Sequence, residues 1–301
     1  MKIAITGSSG MVGSQLRAVL AADGHAITRV VRRREGGRKA GYAYWNPDTA
    51  EVDEDSLEGH DVVIHLAGES LFGVWTKRRK EAIRRSRVQG TQLLAAALAG
   101  LARPPSLLLT ASAIGIYGNH PADEPLDENT PGGDGFLPRV VRGWEAASEP
   151  AEVVGIRVVR LRFGLVLSPK GGILGAMLPP FRLGLGAVVG PGDQAWSWVA
   201  LPEIERVVRH AIATPSIEGA INVVAPNAVT AREFSRALGR VLHRPVALHI
   251  PRAVVALAPG GMGRELAAAS ARVVPARLEQ SGYDFEWPLL EPALRDLLAR
   301  P

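Results

Sequence analysis

The feature that most constrains this chain is the octet Thr6-Gly7-Ser8-Ser9-Gly10-Met11-Val12-Gly13. It follows a short apolar run, Lys2–Thr6, and opens a segment with helical periodicity, Met11–Ala22. A glycine at such a turn allows a backbone conformation that a Cβ would penalise. Bare backbone also lets a phosphate reach the N–H groups at the positive end of the helix. The third glycine, Gly13, permits the helix to pack closely on its strand. A strand, a glycine turn and a helix at this spacing predict a dinucleotide-binding unit.

The rest of the first half repeats the alternation. Ala26–Arg32, Asp61–Ala67, Ser106–Ala111 and Arg157–Phe163 read as buried strands, and a basic-then-apolar helix spans about Lys77–Leu98. Short apolar strands separated by helices predict a parallel sheet covered on both faces, and right-handed crossovers make it an α/β, doubly wound sheet of Rossmann type. Asn119–Gly135 is acidic and rich in Pro and Gly, and reads as a surface loop. Gly171–Gly192 is glycine-rich, and Pro179–Pro180 is expected to break any helix there. Later helices are expected at Thr230–Leu242 and Leu289–Leu298.

Composition narrows the chemistry. With no Cys in 301 residues, thiolate metal sites, disulfides and a Cys nucleophile are excluded. The histidines show no metal-ligand spacing, so no metal is expected. No uncharged apolar run approaches the ~18–20 residues a membrane helix needs, and the opening MKIAITGSSG leaves no room for a secretory signal. A cytoplasmic protein without membrane partners is the expectation. The net charge of +5 comes mostly from Arg. The basic stretch from Lys77 to Arg87 lacks interleaved aromatics apart from Trp75, so a nucleic-acid partner is not expected.

Cofactor preference is written about 20 residues after the glycine turn, where an acidic residue selects NAD and an arginine selects NADP. Here the stretch reads Val30-Val31-Arg32-Arg33-Arg34, without a carboxylate. NADP(H) is predicted, with Arg32 or Arg33 on the 2′-phosphate.

Further motifs carry a resemblance. His65-Leu66-Ala67-Gly68-Glu69, Gly90-Thr91-Gln92-Leu93-Leu94 and Ser112-Ala113 followed by Tyr117-Gly118 resemble segments of the extended short-chain dehydrogenase/reductase superfamily. Pro180–Gly186, Trp196–Val199, Asn222–Pro226 and Gly282–Pro288 are similar to an atypical subgroup, the NAD(P)-dependent epimerase-like proteins with a short C-terminal domain. The resemblance covers nearly the whole chain. It implies a cofactor site made by Gly7, Ser9, Gly10, Met11, Val12, Arg32, Leu66, Ala67, Gly68, Arg87 and Val166. It also implies a nucleotide-binding domain over 1–166, completed by about 196–226. A smaller substrate-side region would comprise 167–195 and 227–301.

One departure bears on activity. The superfamily uses a Tyr-x-x-x-Lys pair for proton transfer. The tyrosines here, at 42, 44, 117 and 283, are followed four residues on by Asn46, Asp48, Pro121 and Trp287. Placing Trp144-Glu145 on the equivalent helix puts Leu137 and Val141 where the pair would stand. Ser112 remains at the position where the superfamily's serine holds a substrate oxygen, and Glu69 and Glu145 are the candidate acids, Glu69 first, with a substrate group or water as the alternative proton source. Glu145 reads first as a helix-surface carboxylate. Where the subgroup usually has His and Asp, this chain has Ala200 and Glu203. The reading is an NADP(H)-dependent oxidoreductase or epimerase-like protein acting on a small carbonyl or alcohol. The alternative is a catalytically silent NADPH-binding protein that serves a partner. A homodimer is left open.

Overall fold

The computed structural model describes residues 1–33, 40–71, 73–251, 253 and 269–299. Its centre is an eight-stranded sheet built from β1 (Lys2–Thr6), β2 (Ala26–Val31), β3 (Tyr42–Asn46), β4 (Glu51–Val52), β5 (Val62–His65), β6 (Leu107–Ala113), β8 (Arg157–Phe163) and β13 (Gly219–Val223). The two-residue strand β7 (Pro125–Leu126) lies outside it. The spatial order is β13-β8-β6-β5-β1-β2-β3-β4, and every pair is parallel except β3 with β4. The order reverses beside β1, which creates the crevice where open α/β sheets take ligands.

Helices α1 (Met11–Ala22), α2 (Lys77–Ala99), α3 (Phe136–Ala146), α4 (Glu149–Val153) and α6 (Leu201–Ala213) flank this sheet. Strand alternation divides the core between the two faces. Ile3, Ile5, Leu107, Leu109, Val159 and Leu161 pack with Leu16 and Leu20 of α1 and with Ile204 and Val208 of α6. The intervening residues Ala4, Val63, Leu108 and Val158 pack with Leu94 and Leu98 of α2 and Ala151 of α4. Each fully buried large aliphatic side chain contributes roughly 1.5–3 kcal/mol, so both faces hold the sheet. Thr76 caps α2 by accepting the Arg79 N–H at 3.1 Å, which fixes where that basic helix begins.

A second core forms beyond β9 (Leu165–Leu167). It draws in α5 (Gly172–Arg182), α7 (Ala231–Leu242) and the helix Leu290–Ala299, through Leu174, Phe181, Trp198, Phe234, Trp287 and Leu294. A capping box of Thr230 and Glu233 starts α7.

Three expectations are corrected here. Pro179 and Pro180 do not prevent a helix and sit inside α5. They fall in its last two turns, where Leu178 and Phe181 are buried. The carbonyls of Pro179 and Pro180 still receive the N–H groups of Leu183 and Leu185 at 3.3 and 2.9 Å. Packing there outweighs the lost donors. The expected strand at Asn222–Pro226 lies earlier, as β13, because Gly219–Val223 pairs with β8. The loop Asn119–Gly135 is pinned rather than free: β7 within it pairs with Arg272–Val273, and Leu126 is fully buried.

Candidate cofactor and active site

The glycine turn is bound to the far side of the crevice by one hydroxyl. Thr6 Oγ1, at the end of β1, accepts the N–H groups of Leu66 and Ala67, both at 3.1 Å, and meets His65 Nδ1 at 2.8 Å. His65 Nε2 lies 3.1 Å from Thr91 Oγ1 on α2. Burial lowers the His65 pKa to about 4, so the ring is neutral and works as a spacer between two threonines.

The turn has the close approaches that demand glycine. Gly7 has φ +64°, and a Cβ on it would lie 2.8 Å from the Leu66 carbonyl carbon. A Cβ on Gly13 would lie 2.2 Å from Gly7 O. Gly10 begins α1 with no side-chain capping bond and with no acidic residue in the first turn. The helix's positive end therefore faces the crevice without a built-in anion.

Above this turn is a cavity of about 980 Å³. Of the residues predicted to hold a cofactor, Gly7, Ser9, Gly10, Arg32, Arg33, Leu66, Ala67 and Gly68 line it, as does Glu69. Arg34 lies outside the described residues. Met11, Val12, Gly13, Val166 and Arg87 are not among the residues that line it. Met11 and Val166 meet around Gly172, whose Cβ would be 3.2 Å from Val166 O and 3.7 Å from Met11 Cε. Val12 packs on the core of the α1 face. Arg87 donates to Glu69 O at 2.9 Å, and its guanidinium carbon lies 5.0 Å from the centre of the Trp144 ring. Burial lowers its pKa to about 10, which leaves it charged at neutral pH.

Several lining residues were not read from the sequence. Ser8, Arg29, Tyr42, Tyr44 and Asn46 all face the cavity. Arg29 sat within an apolar strand run and carried no motif. Tyr42 and Tyr44 belong to β3, which follows Gly41 and was not among the expected strands.

The predicted catalytic residues stand apart. Glu69 pairs with Arg79, Oε1 to Nη1 at 2.5 Å. Ser112, 3% exposed at the end of β6, donates its hydroxyl to Glu145 Oε1 at 2.5 Å. Glu145 is therefore no helix-surface carboxylate. α3 turns it inward, where Arg162 of β8 donates to Oε1 from Nε at 2.8 Å and to Oε2 from Nη2 at 2.9 Å. Burial works against the Arg162 charge, but the Glu145 bonds and charge outweigh it and hold the pKa above the ordinary arginine value. Arg162 Nη1 also donates to Tyr117 Oη at 2.9 Å, and Tyr117 donates to Asn222 Oδ1 at 2.8 Å. A buried polar chain thus joins the ends of β6, β8 and β13. Val141 is buried and Leu137 half-buried on the same helix, so no titratable side chain occupies those two positions.

Glu203 also finds a partner. It is 1% exposed and accepts the Tyr283 hydroxyl and the Trp287 N–H, the latter at 2.9 Å. It therefore ties the segment Gly282–Pro288 to α6. On α2, Arg79, Arg84 and Arg85 pair with Glu69, Glu81 and Asp48, so much of the basic stretch is neutralised within the chain. Among the described residues no helix is long and apolar enough to cross a membrane, and no group of three His, Asp or Glu side chains is placed to hold a metal ion.

Comparison with known proteins agrees with this geometry. The description "NAD dependent epimerase/dehydratase family" matches residues 3–223. This chain belongs to that family. A domain of unknown function, DUF1731, matches residues 250–297. An epimerase family protein of Mycobacterium bovis is 39% identical over 300 residues, 99% of this chain and 98% of its own length. The human epimerase family protein SDR39U1 is 33% identical over 304 residues, 99% of this chain and 100% of its own. A crystal structure of human SDR39U1 (isoform 2) with NADPH superposes with a TM-score of 0.90 at 30% identity and covers 100% of both chains. A UDP-glucose 4-epimerase of Thermotoga maritima, at 16% identity and a TM-score of 0.78, shares the fold.

Proposed function

We propose that this chain binds NADP(H) and works as an oxidoreductase-like protein on a small carbonyl or alcohol. One observation carries the reading: a glycine cradle that a Cβ would fill stands in the same cavity as arginines that have no carboxylate partner among the described residues. The residues present fit the cofactor. The backbone of Gly7, Ser9 and Gly10 suits the pyrophosphate at the positive end of α1. Arg32 and Arg33, both exposed on the cavity wall, suit a 2′-phosphate. Leu66, Ala67 and Gly68 line the same cavity and suit the rest of the dinucleotide. The NADPH in the structure of the human relative supports the same choice.

Bound in reduced form, the cofactor supplies a hydride for a carbonyl carbon, and one proton must then reach the carbonyl oxygen. The serine hydroxyl has a single proton and gives it to Glu145. Ser112 therefore offers lone pairs, which suit a substrate hydroxyl. Glu69 lines the cavity as a carboxylate paired with Arg79 and can accept a proton there. Both roles fit the alcohol side of the reaction, in which Glu69 takes the hydroxyl proton and the hydride passes from the carbinol carbon to the oxidised cofactor.

A side-by-side titration of NADPH and NADH, followed by quenching of the six tryptophans, tests the cofactor reading. NADPH should bind at least about tenfold more tightly, a difference of roughly 1.4 kcal/mol. Binding of neither would overturn the reading. A second reading, an NADPH-binding protein without turnover, is favoured by Leu137 and Val141 on α3 and by the engagement of Ser112 with Glu145. It predicts tight NADPH binding and no NADPH consumption across a panel of aldehydes, ketones and sugar nucleotides.

A further inference from the structure

We propose that Arg29 is a further phosphate ligand, held by Tyr42 and Ser8, and that with Arg32 and Arg33 it makes this chain selective for an adenosine 2′-phosphate. The inference rests on the nucleotide reading above and assigns a specificity residue to that site.

Arg29 stands inside β2, paired on one side with Ile5 and on the other with Tyr42. A guanidinium in the interior of a central strand is costly unless something compensates its charge. In the neighbouring strand β8 a carboxylate does so for Arg160, which pairs with Glu152, and for Arg162, which pairs with Glu145, while Arg157 donates to the carbonyls of Ala211, Thr214 and Ile217. Arg29 has only neutral partners. Nη1 donates to the Tyr42 hydroxyl at 3.1 Å, Nε donates to Ser8 Oγ at 3.4 Å, and its guanidinium carbon lies 5.3 Å from the centre of the Tyr42 ring. Among the described residues no carboxylate lies within ion-pair distance of it and no acceptor is hydrogen-bonded to Nη2.

Position supplies the second half of the argument. Ser8 belongs to the glycine turn, so the bond from Arg29 places a positive charge directly beside the phosphate-binding backbone. Arg29, Arg32 and Arg33 line one cavity. None of the three has an ion-pair partner among the described residues, and a dianionic phosphate is a ligand class that guanidiniums bind well. Arg32 and Arg33 are exposed and must be ordered when a ligand arrives. Arg29 is already held on two sides, so less rotamer freedom is lost when it binds. This arrangement belongs to β2 itself and is separate from the arginines that follow the strand.

The test needs no substrate. Calorimetric titrations of 2′,5′-ADP and 5′-ADP into the full chain read the 2′-phosphate contribution as a ratio of affinities. Arg29→Gln should weaken 2′,5′-ADP by about tenfold or more and change 5′-ADP by less than about twofold. Tyr42→Phe removes only the hydroxyl that orients Arg29 and should weaken 2′,5′-ADP by a smaller factor in the same selective way. Circular dichroism and Tm establish that each variant is folded. If Arg29→Gln does not fold, the Tyr42→Phe and Arg29→Lys variants carry the test, each expected to lose part of the selectivity. Equal loss of both ligands would overturn the proposal by making Arg29 a support of the turn, and unchanged binding would overturn it outright. If the wild-type protein fails to distinguish 2′,5′-ADP from 5′-ADP, the NADP(H) reading falls as well. An intact wild-type preference that survives every Arg29 variant sinks only the inference.

Discussion

Arg162 grips both oxygens of Glu145, from Nε at 2.8 Å and from Nη2 at 2.9 Å, in a pair whose side chains are 9% and 13% exposed. The same carboxylate receives the Ser112 hydroxyl, so one ion pair joins α3, β6 and β8. Removing one member of a buried pair leaves the other charge uncompensated, at a cost of roughly 3–5 kcal/mol. Glu145→Ala should lower the urea-unfolding free energy by about that amount. Glu145→Ala combined with Arg162→Met should recover part of the loss, because the orphan charge is gone. A single variant as stable as the wild type would contradict the pairing.

His65 gives a prediction in pH. Its folded pKa is lowered from 6.5 to about 4 by burial. Below pH 6.5 the unfolded chain takes up a proton that the folded one refuses. Stability from this group is therefore complete above pH 6.5 and is lost as pH falls towards 4, by up to roughly 3 kcal/mol. Burial lowers the His60 and His210 pKa values too, which adds to the same trend. Urea unfolding at pH 7.5 and 4.5 should show the fall in the wild type and a shallower one in His65→Gln. Parallel pH profiles would remove His65 as a source.

Gly13 tests the cradle. A methyl there would sit 2.2 Å from Gly7 O, so Gly13→Ala should cost about 1–3 kcal/mol and weaken NADPH binding together. Gly100→Ala is the control. That glycine closes α2 with φ −85°, and the nearest atom to an added Cβ is 3.5 Å away. The control should stay within about 1 kcal/mol of the wild type, and reducing the freedom of the unfolded chain helps it. Thermal melts of both variants decide the matter, and equal effects would count against the close approach.

Arg32 tests cofactor choice. Arg32→Asp replaces the proposed phosphate ligand with a group that repels phosphate and accepts from a ribose hydroxyl. NADPH affinity should fall about tenfold or more, while NADH affinity holds or improves. Fluorescence titration reads both. A variant that keeps the wild-type preference would move the 2′-phosphate contact to other arginines.

Where local chemistry repeats over a few residues, the structure could be read in advance. Met11–Ala22 and Arg157–Phe163 were legible to the residue, and the turn between Thr6 and Gly13 announced its own close contacts. The basic helix, expected over about Lys77–Leu98, spans Lys77–Ala99. Pro179–Pro180 misled because proline's local penalty is visible in sequence, whereas the burial of Leu178 and Phe181 that offsets it is not. β3 was missed although glycines at 36, 37 and 41 precede it, since a short strand's identity depends on the neighbour it pairs with.

The candidate site divides in the same way. By itself the amino-acid sequence determined the nucleotide-binding class, the strand–turn–helix cradle, the arginine pair after β2 and the lack of a Tyr-x-x-x-Lys motif, because each rests on residues close together in the chain. Only the tertiary structure decided what the isolated charges do. It turned Glu145 inward between Ser112 and Arg162, paired Glu69 with Arg79, brought Arg29 to Ser8 across 21 positions and joined Glu203 to Tyr283 across 80. A charged side chain takes its role from whatever partner the fold places within about 3 Å of it, and no window along the chain contains that partner.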